Sequence, residues 1–192
     1  MIKQLLLLFT LSYQLTSVSQ EVQFDIVWKG KNVGNIKAIK SSAKETTEYT
    51  ITADAKINIL LSYNIENYTY CKLEKRKLTK SIATYKVNGK LKENTDIAEG
   101  DDAYICNTCK KPNLAYASIG YTTSMMYFIE PAKSGSVFSE RFGEYATLTK
   151  VADHEFNLEL PDGKINNYYY EDGKLVKIHI NRALYSMDFL RK

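Results

Sequence analysis

Three cysteines, two histidines and a methionine pair beside aromatic residues are the groups in this chain that could carry chemistry. Cys106-Asn107-Thr108-Cys109 supports three readings. The leading one is a disulfide between Cys106 and Cys109 that staples the loop after a strand, or pairing of one of them with Cys71. A redox pair of thioredoxin type needs the motif to open a helix whose dipole lowers a thiol pKa. Lys110-Lys111-Pro112-Asn113 is a poor helix start, and no βαβ context surrounds it. Zinc would need Cys71 and a histidine to complete the set, and a single Cys-x-x-Cys lacks the second half of such a motif. With a 106–109 bond, Cys71 is left as the free thiol, on an apolar face. No metal and no cofactor is expected.

His154-Glu155 lacks the second histidine of a zinc-peptidase helix and opens a strand instead. By parity His154 falls with Phe156, Leu158 and Leu160, on the apolar face or its rim. His179 falls opposite Ile178 and Ile180, towards solvent. Both read as structural histidines. No nucleophile elbow or glycine-rich phosphate loop is present, so an enzyme is not expected. Tyrosine is abundant at 15 residues, and Tyr168-Tyr169-Tyr170 places rings on both faces of a strand. The plain reading is sheet-covering tyrosines with polar tips exposed; an aromatic surface or cavity is the functional one. Met125-Met126 beside Tyr127-Phe128 fits core packing, or an adaptable lid over an apolar pocket.

The elements that must position these residues are strands. Val22, Phe24, Ile26 and Trp28 alternate with polar residues, as a half-buried strand requires. Asn88-Gly89, Asp162-Gly163 and Asp172-Gly173 sit between segments rich in aromatic and β-branched residues, which is the signature of two-residue type I′ hairpins. Ile57 to Leu73 switches parity midway, read as a bulge or strand break, in preference to a short helix through Ile57 to Leu61. The one interruption runs from Asn107 to Pro131, where Ser124 to Ile129 reads as a helical turn or two stopped before the proline. No crossover helices occur, which excludes a mainly parallel sheet. The predicted fold is all-β: a strongly curved antiparallel meander forming a barrel or near-closed barrel of about ten to twelve strands, with one short helix near 119–129.

The first 19 residues read as a signal peptide. Lys3 supplies the positive start, Leu5 to Leu8 with Phe9 and Leu11 the apolar stretch, and Ser17-Val18-Ser19 the small residues before cleavage. The apolar run is too short to span a membrane, so residues 20–192 form a single β domain on the far side of one, periplasmic or secreted. Removing Lys3 lowers the formal net charge from +4 to +3. The excess is scattered, and the Lys72-to-Lys77 cluster is broken by Glu74, so no nucleic-acid partner is expected.

Phe24-x-Ile-x-Trp-Lys-Gly-Lys-x-Val-Gly34, the central Tyr-x-x-Asn-Gly-Lys-Leu and the closing Leu-Pro-Asp-Gly-Lys-Ile-Asn-Asn-Tyr-x-Tyr-x-Asp-Gly-Lys-Leu resemble an uncharacterised domain-of-unknown-function family. Its members are exported β-rich proteins of Bacteroidota, chiefly flavobacteria. The resemblance covers nearly all of the mature chain, and its motifs are mostly hairpin turns. It implies a location and a fold, and brings no catalytic residues.

These readings converge on an exported β-barrel-like module that is not an enzyme. It is expected to bind an apolar or amphipathic, lipid-like small molecule, with Phe24, Ile26, Trp28, Met125, Met126, Phe156 and Leu158 as the lining. The alternative is an envelope interaction or scaffold protein, with a packed core, an exposed aromatic surface and an envelope protein as partner. A cavity favours the first and a filled interior the second.

Overall fold

A computed structural model describes residues 17–58, 62–109, 113, 114, 116, 118–182 and 185–192. Most of the expected signal peptide, residues 1–16, lies outside them. In chain order the first strands are β1 (Val18–Trp28), β2 (Lys31–Ala43), β3 (Thr46–Asn58), β4 (Ser62–Glu74) and β5 (Lys77–Val87). β6 (Lys90–Glu99), β7 (Tyr104–Cys106) and β8 (Asn113–Leu114) complete the first half. After a 3-10 turn at Met125–Tyr127 come β9 (Gly135–Ser139), β10 (Glu144–Ala152) and β11 (Glu155–Glu159). The chain closes with β12 (Ile165–Glu171), β13 (Lys174–Arg182) and β14 (Tyr185–Arg191).

These 14 strands form one sheet, in the order β8-β7-β6-β5-β4-β3-β2-β1-β14-β13-β12-β11-β10-β9. Every pairing is antiparallel, and the predicted all-β meander is the fold. Its strand count exceeds the expected ten to twelve, in part because the stretch from Ile57 to Leu73 is not one bulged strand. β3 ends at Asn58 and β4 starts at Ser62, and the two pair without a register shift; residues 59–61 between them lie outside the described ones. The parity switch marks no bulge between them, because Tyr68 and Tyr70 lie on the outer face of β4, opposite the buried Cys71 and Leu73. Alternation does its work in β1, where Val22, Phe24 and Ile26 are buried while Gln23 is exposed.

The turns set the register. Asn88-Gly89 and Asp172-Gly173 carry positive φ at both positions (51° and 72°, 48° and 72°), as type I′ turns require. Asp162-Gly163 does not follow them. Pro161 presets a negative φ at the first turn position, and only Gly163 is left-handed. The Gly163 N–H donates to the Leu160 carbonyl at 2.8 Å, making a longer loop than the dipeptide alone predicts. His154 also departs from its expected place. It is not on the apolar face of β11 but in the β10–β11 turn at φ 63°, with Nδ1 3.0 Å from a Glu130 carboxylate oxygen.

The sheet is not closed by pairing of its end strands, β8 and β9; its two ends overlap instead. Val137 and Phe138 are adjacent in β9 and both fully buried. Since neighbouring side chains in a strand point to opposite faces, β9 must be covered on both. One face joins a core with Val22, Phe24, Ile36, Phe156 and Leu158. The other packs with Leu78, Ile97, Tyr104, Cys106 and Leu114 from β5 to β8. Side chains fasten the overlap: the Thr95 hydroxyl donates to the Glu140 carbonyl at 2.6 Å, and Arg141 makes two hydrogen bonds to the Glu93 carboxylate, at 2.5 and 2.8 Å. The free backbone edge of β9 is also used. Phe138 N–H donates to the Tyr121 carbonyl at 3.1 Å and its carbonyl accepts from Thr123 N–H at 2.9 Å, so that edge is occupied at its centre.

Because each strand reverses the last, the turns sort onto two rims. One rim carries Lys29-Gly30, Asn88-Gly89, residues 140–143 and residues 160–164. The other carries Lys75-Arg76, Asp153-His154 and Asp172-Gly173.

Candidate functional site

The interior is filled at one level and open at another. The filling comes from the segment between β8 and β9. Residues 121–123 run beside β9, and the chain then crosses the inside in the 3-10 turn, which contacts strands all around the wall. Tyr127 meets Phe24 of β1 edge-on at 5.6 Å between ring centroids, and Phe128 meets Tyr49 of β3 at 5.7 Å. The Tyr170 hydroxyl of β12 donates to the Met126 carbonyl at 2.9 Å. At the foot of the segment the Tyr104 hydroxyl donates to the Leu78 carbonyl at 2.9 Å and accepts from the Ile119 N–H at 3.2 Å. The expected short helix is thus a single 3-10 turn, and it acts as a plug.

Glu140 anchors that plug. Its side chain is fully buried. One carboxylate oxygen accepts from the Ser124 N–H at 3.0 Å, at the mouth of the 3-10 turn, and the other accepts a short hydrogen bond from the Thr123 hydroxyl. A buried carboxyl group is tolerated only with such partners.

Above the plug lies a cavity of about 1400 Å³, half open towards the rim that carries residues 140–143 and 160–164. That exceeds the roughly 300–1,000 Å³ of ordinary small-molecule pockets, as a wall of more than eight strands allows. Thr123, Ser124 and Tyr127 of the plug belong to its lining. One wall is apolar: Ile26, Ile36, Ile51, Ile57 and Ile65 from β1 to β4, continued by Met187 and Phe189 of β14. The facing wall is mixed: Asn166 and Arg182 stand among Leu158, Tyr168 and Ile180 of β11 to β13, joined by Arg141 and Glu93 at the overlap.

The charges at this wall are differently provided for. Arg141 lies 4.7 Å from the centroid of the Tyr85 ring and 5.3 Å from that of Phe142, with Glu93 as its bidentate partner. Burial alone would lower the Arg141 pKa, but the hydrogen bond and charge of Glu93 leave it raised. Lys164 pairs with Asp162 at 2.6 Å. Arg182 instead donates to neutral acceptors: the Asn166 side-chain oxygen at 2.7 Å and the carbonyls of Asn181 and Ile165 at 2.8 and 3.2 Å. Burial lowers its pKa; Tyr185 and Asp162 offset part of the shift, and the like charge of Arg141 adds to it.

Of the residues named from sequence as lining, Ile26 and Leu158 face the cavity. Phe24, Met126 and Phe156 are fully buried in the core around and beneath it, and Trp28 packs half-buried against that core. Met125 belongs to the second cluster, under the overlap. Sequence reasoning missed Arg182, Arg141 and Asn166, although Arg182 shares a parity with Ile178 and Ile180.

Cys106 and Cys109 form a disulfide, with their Cα atoms 5.4 Å apart. Bonded to each other, neither offers a thiolate to zinc. Residues 107–109 are not helical, so among the described residues the motif does not open the helix that a redox pair would need. A side chain added at Gly143 would meet the Cys109 sulfur at 2.8 Å, so the staple is wedged against the β9–β10 turn. Cys71 is free and fully buried, 3.7 Å from the Thr122 hydroxyl, and burial, then the Glu140 carboxylate, push its thiol well above the ordinary range. Among the described residues no group of three His, Cys, Asp or Glu side chains could hold a metal. Replacing both disulfide cysteines by serine is expected to cost about 2 kcal/mol, the chain-entropy value for so short a ring. Thermal unfolding measures this. Without reductant, iodoacetamide should label no site in the folded chain and one, Cys71, after unfolding.

A family model described as domain of unknown function (DUF6134) matches residues 24–192. A solved structure from Brucella abortus, titled a β-barrel-like protein of domain of unknown function DUF1849, superposes with a TM-score of 0.59 at 12% identity. It covers 93% of this chain and 98% of that one. At that identity the likeness concerns the fold. An alignment 86 positions long, covering 41% of this chain, is 33% identical to mouse cytosolic carboxypeptidase 3 and spans 8% of that protein's length.

Proposed function

As the chain belongs to the family described as domain of unknown function DUF6134, and its fold is barrel-like, we propose that it is an exported, non-enzymatic module. In this reading it comes from a bacterium of the Bacteroidota and acts in the periplasm or after secretion. Its cavity takes up an apolar or amphipathic, lipid-like small molecule. The observation that carries the reading is the space of about 1400 Å³, apolar on one wall and carrying Asn166, Arg141 and Arg182 among apolar residues on the other. Export is supported by the leader-like pattern of residues 1–19 and by a disulfide, which persists in oxidising compartments. Solubility of the barrel is supported by its outer face. Gln23, Lys37 and Asp54, on three successive strands, are exposed, whereas a lipid-facing barrel needs an apolar outer band. The rival scaffold reading needs a filled interior, and the cavity weighs against it.

Native mass spectrometry tests the proposal on protein exported through its own leader and purified without harsh detergent. The expected result is a mass excess of lipid size that disappears on denaturation. A bare polypeptide in both spectra, with no uptake of added dodecanol, would overturn the reading.

A further inference from the structure

We infer that the cavity selects amphipaths with an anionic head, held by Arg182, with the tail along the isoleucine wall. This rests on the reading of the cavity as a binding site and adds the chemistry of its ligand.

Two observations carry it. The first is the charge inventory. Three cations (Arg141, Lys164 and Arg182) and two carboxylates (Glu93 and Asp162) line the space, which leaves one positive charge in excess. Two of the cations are matched, Arg141 by Glu93 and Lys164 by Asp162. Among the described residues Arg182 has no carboxylate within ion-pair distance.

The second is the state of the guanidinium. An arginine carries five N–H donors, and the three hydrogen bonds of Arg182 go to one amide oxygen and two backbone carbonyls. Two donors remain in a residue that lines the cavity. A half-buried cation with spare donors is a poor stabilising device, since burial penalises its charge without a counter-charge. A planar anion would supply both the charge and the acceptors, and a carboxylate matches the fork geometry of a guanidinium. A phosphate monoester, though tetrahedral, presents the same pair of acceptor oxygens to a guanidinium. The apolar wall opposite gives the tail its place, and the plug residues Thr123, Ser124 and Tyr127 limit its depth.

Isothermal titration calorimetry on the mature chain, with four single-chain probes below their micelle concentrations, tests this. The probes share a twelve-carbon tail: laurate, dodecyl phosphate, dodecanol and dodecyltrimethylammonium. Laurate is expected to bind about tenfold more tightly than dodecanol, which corresponds to about 1.4 kcal/mol, and the cationic probe more weakly than either. In Arg182→Gln the laurate-to-dodecanol ratio should fall towards one, and in Arg182→Lys most of it should remain. Laurate ahead of dodecyl phosphate identifies a carboxylate site, and the reverse order a phosphate site. Equal binding of laurate and dodecanol overturns the anionic head and leaves the cavity reading standing, whereas binding of none overturns both. A ratio that survives in Arg182→Gln overturns the role of Arg182. If that variant does not fold, the comparison of probes on the wild-type chain decides the head chemistry.

Discussion

Gly34→Ala lowers the melting temperature by about 6–12 °C, equivalent to a loss of about 3 kcal/mol or more in a domain of this size. Gly34 sits inside β2, between Ile26 of β1 and Ala55 of β3. A Cβ built there would lie 2.0 Å from the Asp54 carbonyl oxygen and 2.6 Å from the Ala55 Cα. Both are backbone atoms of a paired strand, so no rotamer change relieves the contact; the ladder itself must move. The close approach arises where β1 and β2 change register beside Ile26 and Val27, which is how a sheet bends to wrap round a centre. Ile26 lines the cavity, so the same substitution should also disturb the apolar wall. Thermal unfolding followed by circular dichroism measures the cost. A fall of less than 2 °C would mean that β2 and β3 can part there freely, and the account of the bend would fail.

Much of this architecture was legible because hairpins announce themselves locally. Asn88-Gly89 and Asp172-Gly173 define their turns through backbone angles that few residues adopt, and alternation from Val22 to Ile26 picks out the inner face. The features that escaped depend on tertiary context. Pro161 overrides the turn that Asp162-Gly163 would otherwise make, whereas the charged stretch up to Lys77, read as a solvated turn, does turn at Lys75-Arg76, with φ 49° and 67° and no glycine. The cavity wall was missed for a related reason. Polar residues in strands read as solvent-facing, and nothing within a strand says that the space it faces is wet. Parity offered the clue: Ile178, Ile180 and Arg182 share a face, as do Asn166, Tyr168 and Tyr170, so a guanidinium and an amide had to point where the apolar residues point. The aromatic and methionine residues picked out as lining are instead mostly core, since large apolar side chains fill space before they bound it. The double burial of β9 was not readable at all, for it depends on strands from the other half of the chain.

Glu140→Ala should be the most damaging single change outside the large apolar core, at about 3–5 kcal/mol. Two hydrogen bonds to a charged acceptor are lost, each worth about 1.5–3 kcal/mol. The Ser124 N–H, in a buried residue, and the Thr123 hydroxyl are left without their partner. The consequence is local as well as global. These bonds hold the start of the 3-10 turn to the end of β9, and Thr123 and Ser124 belong to the cavity lining. Without them the plug should lift, the cavity should deepen into the core, and proteolysis should cut within residues 118–134 before the chain unfolds. Glu140→Gln separates this from a loss of packing. Its amide oxygen can still accept from Ser124 N–H, and the Thr123 hydroxyl can rotate to accept from the amide nitrogen. Its cost should therefore stay near 1 kcal/mol, with the protease pattern unchanged. The decisive comparison is limited proteolysis of the two variants beside their urea midpoints. If both variants lose the same stability and neither opens the 118–134 segment, Glu140 is only a filler and the plug is held by Tyr104, Tyr170 and its aromatic contacts alone. Early cleavage in the alanine variant alone would make one buried carboxylate the pin that separates a filled barrel floor from an open binding chamber.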